Sequence, residues 1–275
     1  MKFLRIMKED IKRAFYNNRY RFLMAFLFIL ALVLVSTNIC NAMYLRNPEL
    51  GKMNFIDYIF YLTCGMEPVL PENMDEVTIP FVWMAVQFLC CLVTLDYVYG
   101  DQKSFGKDIL IRTKSRVQWW ISKCVCITLM TMAVYIIMYT ISFIVSLINY
   151  GVSGELHLDL LRSICLLRNS YIYSHEMSVF LLTVPILFSV CISLLQMAIS
   201  QFTGPIFSLV IVLSTDILSV FTNNKYLWGN WSMILRSDIC IENGISAGFA
   251  IAASLITGVI GVIIGGFKFY KRDIL

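Results

Sequence analysis

Residues 22–42 read FLMAFLFILALVLVSTNICNA, twenty-one residues without a charge. A helix needs about 20 mostly apolar residues to cross a hydrocarbon layer roughly 30 Å thick, and this stretch has that length and character. Five further windows share it, at approximately 77–98, 125–148, 177–199, 203–222 and 245–267. Across all 275 residues, hydrophobic types make up 59% and charged types 15%. A soluble domain carries about 25% charged residues to keep its surface in water, so that class is excluded. The sequence predicts an all-α integral membrane protein of six transmembrane helices, with no linker or repeat dividing residues 1–275.

Basic residues set the orientation, because they accumulate on the cytoplasmic side of membrane helices. With both termini inside, sixteen of the 22 Lys and Arg residues are cytoplasmic. They are Lys2 to Arg21, Lys103 to Lys123, and the tail Lys268, Lys271 and Arg272. Arg46, Lys52, Arg162, Arg168, Lys225 and Arg236 remain outside, and the reverse threading inverts the bias. The first apolar run is too long for a cleaved signal and lacks a small-residue cleavage site, so it reads as a retained helix.

Ahead of it, Phe3, Leu4, Met7, Ile11, Ala14 and Phe15 recur at helical spacing, with Lys2, Arg5, Lys8, Lys12 and Arg13 on the other face. Such a helix lies in the headgroup plane, which predicts an interfacial helix within residues 1–21. The alternative is a positive flank that only sets topology. An unbroken third helix over 117–148 is about 48 Å long at 1.5 Å per residue, longer than the hydrocarbon core. Its base, with Trp119, Trp120 and Lys123, is expected to reach the interface as an anchor. Among the outer connections, a short surface helix is expected near Glu155 to Leu167. Gly65, Pro68 and Pro71 predict irregular backbone before the second span.

No catalytic constellation is evident. Gly100 to Lys107 approximates a phosphate loop, but it has five residues between its glycines and Asp108 after the lysine. His157 and His175, near Asp159 and Glu176, read as solvated loop residues rather than metal ligands. The nine cysteines show no zinc spacing; Cys40, Cys64, Cys165 and Cys240 fall outside, where oxidising conditions permit disulfides. Asp216 is the acid well inside a span, either a pathway contact or a structural acid bonded to its neighbours. Gln87 is placed to bond across helices, and Asp96 to be wetted at the inner rim. Gly244, Gly248, Ala252, Gly261 and Gly265 form a small-residue stripe for close helix packing.

The connection Tyr99 to Lys123 carries Leu110-x-Arg112-Thr113-x-Ser115-Arg116 and then a lysine at the next helix. With the short tail Tyr270 to Leu275, it resembles ABC-2-type permeases, the six-span subunits of bacterial ABC exporters. The resemblance implies that residues 101–116 form a coupling loop for two copies of a separate ATP-binding subunit. Phe105, Lys107, Asp108, Ile109, Leu110, Arg112 and Arg116 would carry the docking. It makes the amphipathic N-terminus an elbow helix, and implies a second permease, identical or homologous, in the bacterial cell membrane. MgATP would sit on the partner, with no cofactor in this chain and no nucleic-acid partner. An amphipathic cargo, such as a bacteriocin, drug or lipid, is expected. A stand-alone immunity or sensor protein acting through its outer loops is the competing expectation.

Overall fold

The computed structural model describes residues 2–69, 78–103 and 115–271. The described chain is all-helical: α1 (Lys2–Asn17), α2 (Arg19–Arg46), α3 (Phe55–Thr63), α4 (Phe81–Thr94), α5 (Tyr97–Lys103), α6 (Arg116–Asn149), α7 (Leu158–Cys165), α8 (His175–Thr203), α9 (Pro205–Phe221) and α10 (Ala247–Lys271). By length and composition, α2, Phe81–Gln102, α6, α8 and α10 are five helices able to cross a membrane. They make the chain a multi-pass membrane protein. The apolar helix α9 is shorter, 17 residues or about 25 Å.

Each long helix turns a narrow stripe inward. On α2 the stripe is Ala25, Ile29, Val33, Ser36, Thr37 and Cys40, at spacings of three or four. Leu23, Leu27, Leu34 and Val35 on its other sides are exposed. Exposed aliphatic side chains all along a helix are unfavourable in water and neutral against lipid. On α10 the buried positions are Ala250, Ser254, Gly258, Gly261, Gly265 and Phe269. A Cβ at Gly261 would lie 2.9 Å from the Leu195 Cα, so the backbones of α8 and α10 meet almost directly. The stripe thus extends through Ser254 and Gly258 instead of Gly248 and Ala252, which are exposed. Between α8 and α9, Gly204 holds φ 87° and ψ 166°, a conformation only glycine adopts readily, and Pro205 starts the next helix.

At the end of the bundle opposite α1, the three connections interlock into one layer. The helix α3, which sequence reading treated as loop, begins with a reciprocal cap between Asn54 and Asp57. Asp57 accepts the His157 backbone N–H at 2.9 Å and lies 2.8 Å from its ring Nδ1, while Asn54 donates to the Glu155 carbonyl at 2.5 Å. His157 is therefore an anchored, partly buried group and not a solvated loop residue. Glu67 accepts from the backbone of Arg168 and Asn169 and from the Tyr171 hydroxyl at 2.6 Å. Arg236 donates to the Met66, Ser219, Val220 and Thr222 carbonyls, so it closes the last turn of α9.

Two outcomes follow from this packing. Gly261→Ala should destabilise the purified protein by about 1–3 kcal/mol, the range for overpacking, while Gly248→Ala, whose added carbon meets nothing within 4 Å, should leave melting unchanged. The hydrogen bond to Asp57 raises the His157 pKa above its ordinary 6.5. That stabilisation is complete below the unfolded value and disappears as pH rises through the raised one. The melting advantage of wild type over His157→Gln should accordingly be larger at pH 5.5 than at pH 8.5.

Candidate functional site: a buried ion network

The end of the bundle that carries α1 holds its most concentrated buried charge. Lys123, on the second turn of α6, is 1% exposed, as is Asp10 of α1. Lys123 Nζ lies 3.0 Å from Asp10 Oδ1 and 2.7 Å from Asp101 Oδ2, and it donates to the Tyr97 hydroxyl at 3.3 Å. The Trp119 ring, 4.9 Å from Nζ, adds a cation–π face. The Ser122 hydroxyl donates to Asp10 Oδ2 at 2.7 Å, and the Tyr97 hydroxyl to the Asp10 carbonyl at 3.3 Å. One ammonium thus serves two carboxylates, and Asp101, 14% exposed, holds the wetter position.

The elements explain the convergence. α1 packs on α6 through Asp10 and Ala14, both buried, while Leu4 is exposed and Met7, Ile11 and Phe15 are partly covered. Its docking edge is offset from the expected apolar stripe; the Phe3 side chain lies outside the described residues. Phe15 stacks on Phe22 at 5.1 Å, turning the chain into α2. Trp119, Trp120 and Lys123 are not outward anchors, as the sequence suggested. Both indoles are buried and stack on Phe269, and Trp120 lies over Gly265 and Gly266, where α10 has no side chain to exclude it. Trp120 Nε1 donates to the Val262 carbonyl at 3.0 Å. Asp96 pairs with Arg21 at 2.5 Å, a partly exposed contact worth at most about 1 kcal/mol.

α5 occupies the centre of this end. Asp101 ties it to α6, Tyr97 to α1, and Gln102 donates to Gln201 of α8 at 2.8 Å. From Gln201 a polar seam ascends α8. Gln196 donates to the Cys91 carbonyl at 3.3 Å, Thr131 to Ser193 at 3.1 Å, and Ser189 to Gln87 at 2.7 Å. Tyr135 lies 2.8 Å from Ser189 and donates to the Pro185 carbonyl. In an apolar surrounding, such cross-helix bonds fix which helix faces meet. Asp216 stands apart from the seam: it is buried, accepts from Trp228 Nε1 at 3.1 Å, and its second oxygen has no hydrogen-bond partner among the described residues.

Phe105, Lys107, Asp108, Ile109, Leu110 and Arg112 lie outside the described residues. Arg116 opens α6 and donates to the Tyr270 carbonyl at 2.5 Å. The described chain places no group of three His, Cys, Asp or Glu side chains to hold a metal, and the nine cysteines are free thiols. Asp10 and Asp101 were missed by sequence reasoning. The available signals were an acid within a basic helix and a lysine within an apolar run.

The fold defines a polytopic helical membrane protein that carries a buried ion network at one end of its bundle. Residues 29–275 match the family described as protein of unknown function (DUF2705), and the chain belongs to that family. No curated protein and no solved structure matches it.

Removing one member of a buried ion pair strands the other and costs about 3–5 kcal/mol. Lys123→Met should lower stability in detergent by that order, and adding Asp10→Asn and Asp101→Asn should restore part of it. Thermal unfolding of wild type, Lys123→Met, the Asp10→Asn/Asp101→Asn pair and the triple variant measures the coupling directly.

Proposed function

We propose that this chain is the membrane-spanning permease subunit of an ATP-driven exporter, energised by a separate ATPase that docks on residues 101–116. The observation that carries the reading is the Lys123 bridge between Asp10 and Asp101. Asp101 begins the proposed coupling loop, and Asp10 belongs to the proposed elbow helix. A displacement applied at residues 101–116 is thereby shared with α1 and α6, and through Gln102 with α8. Force entering from a soluble partner requires such a connected stem, whereas a loop that only obeys the charge rule does not.

On this reading α9 is a sixth crossing, both termini are cytoplasmic, and the α1 end is the inner face of a bacterial cell membrane. Two permeases and two ATPases form the working unit, with MgATP bound by the partner. An amphipathic peptide, drug or lipid is the cargo, by resemblance to ABC-2-type permeases. Asp216 and Gln87 are the pathway candidates, Asp216 because one carboxylate oxygen has no hydrogen-bond partner among the described residues.

Co-purification with the candidate ATPase tests the reading. Phe105→Asp with Ile109→Asp should weaken complex formation about thirtyfold, as expected for two buried contact residues worth roughly 2 kcal/mol together. An undiminished complex and undiminished ATP-dependent transport would reject the docking assignment. Activity without any ATPase would instead support a stand-alone immunity or sensor protein.

A further inference from the structure

At the end of the bundle away from α1, a cavity of about 520 Å³ lies between the α9–α10 connection and the start of α10. Its polar wall is Asn223, Lys225, Asn230, Arg236, Asn243 and Ser246. Among the described residues, two cations and three amides line it and no acidic side chain does. Asp238 and Glu242, on the same connection, are exposed and outside the lining.

Arg236 is 3% exposed, and no carboxylate lies within ion-pair distance of it among the described residues. Backbone carbonyls and the Asn230 side-chain oxygen satisfy its guanidinium, so its charge is oriented but not neutralised. The first turn of α10 adds a third positive feature. A long helix carries roughly half a positive charge at its N-terminus. Among the described residues Ser246 Oγ takes the Phe249 N–H alone, at 3.2 Å, and the space beside Gly248 is open. Asn223 and Asn230 are engaged with Val69, Thr222, Asn224 and Arg236. That leaves the Asn243 amide, the Ser246 hydroxyl and the Lys225 ammonium to receive a phosphate where the positive potentials of Lys225, Arg236 and the α10 N-terminus meet.

We infer that this cavity binds the phosphate of an anionic lipid headgroup. The choice of a lipid over free phosphate follows from what adjoins the cavity. Phe249 lies on its wall and is 38% exposed. Below it the outward face of α10 continues through exposed Leu255, Ile256, Val259 and Ile263, a strip on which an acyl chain lies. The headgroup stays at the first turn of a membrane helix, where interfacial phosphates sit. The inference rests on α10 crossing the bilayer and is independent of the transport reading.

The test uses the purified full chain, offered equal amounts of phosphatidylglycerol and phosphatidylcholine and read by native mass spectrometry. Wild type should retain the anionic lipid about fivefold better, the preference expected from one basic side chain near a charged headgroup. Lys225→Gln with Asn243→Asp should bring the ratio to parity at unchanged melting temperature. Neither residue anchors the fold as Arg236 does. Equal retention of the two lipids by wild type overturns the inference, as does an undiminished preference in the double variant. Retention of inorganic phosphate without lipid preference overturns the lipid assignment.

Discussion

A single ammonium group holds the α1 end of the bundle together. Lys123 is surrounded by Asp10, Asp101, Tyr97 and Trp119, each from a position that makes sense only if the lysine is charged and buried. Desolvating an ammonium costs several kcal/mol, so the arrangement persists because two carboxylates and an aromatic face replace water together. Such networks add little stability over an apolar alternative of the same shape. Their contribution is selectivity: α1 has one seat on α6, and α5 one seat between α1 and α8.

Elsewhere the forces are different. Along the middle of the bundle, lipid competes with side chains for apolar contact, so burial alone does not choose helix partners. Two devices do. Glycines on α10 admit the backbone of α8 and the ring of Trp120, and hydrogen bonds along α8 bind it to α4 and α6. At the opposite end, water is available and ordinary capping applies. Asp57 and Glu67 accept backbone N–H groups of another connection and Asn54 donates to a backbone carbonyl there, so loops distant in sequence share one layer.

Helix positions were legible because an apolar run of about 20 residues has few alternatives: α2, α8 and α10 begin and end within four residues of their windows, while α6 ends one residue beyond its window and begins nine residues before it. The short helix α3 was not, since nine residues in a polar connection carry no length signal and its Asn54–Asp57 cap is visible only once a helix is assumed. The ion network was half legible. Hydropathy marks Lys123 as exceptional but says nothing about its partners, which lie 22 and 113 residues away. The helical spacing of the α1 stripe made a helix legible there, but not its seat on α6, because that contact is made through Asp10, an acid outside the stripe, facing a buried cation. Trp119 and Trp120 misled for a related reason: an aromatic pair beside a lysine reads as a belt, unless a glycine surface on another helix receives it.

The length of α6 has a mechanical meaning. Its 34 residues extend for about 51 Å without a break, well beyond the roughly 30 Å of a hydrocarbon core. Lys123 sits in its second turn, and Tyr135 meets the seam midway. Ser146, in its last turn, donates to the Gly151 carbonyl at the far layer. Among the described residues, no other helix is joined to all three zones over so long a rigid span. A rod gripped near its base converts a small rotation there into a larger sweep at its tip. Over 40 Å, a tilt of 5° would carry the tip about 3.5 Å, comparable with the width of a side chain.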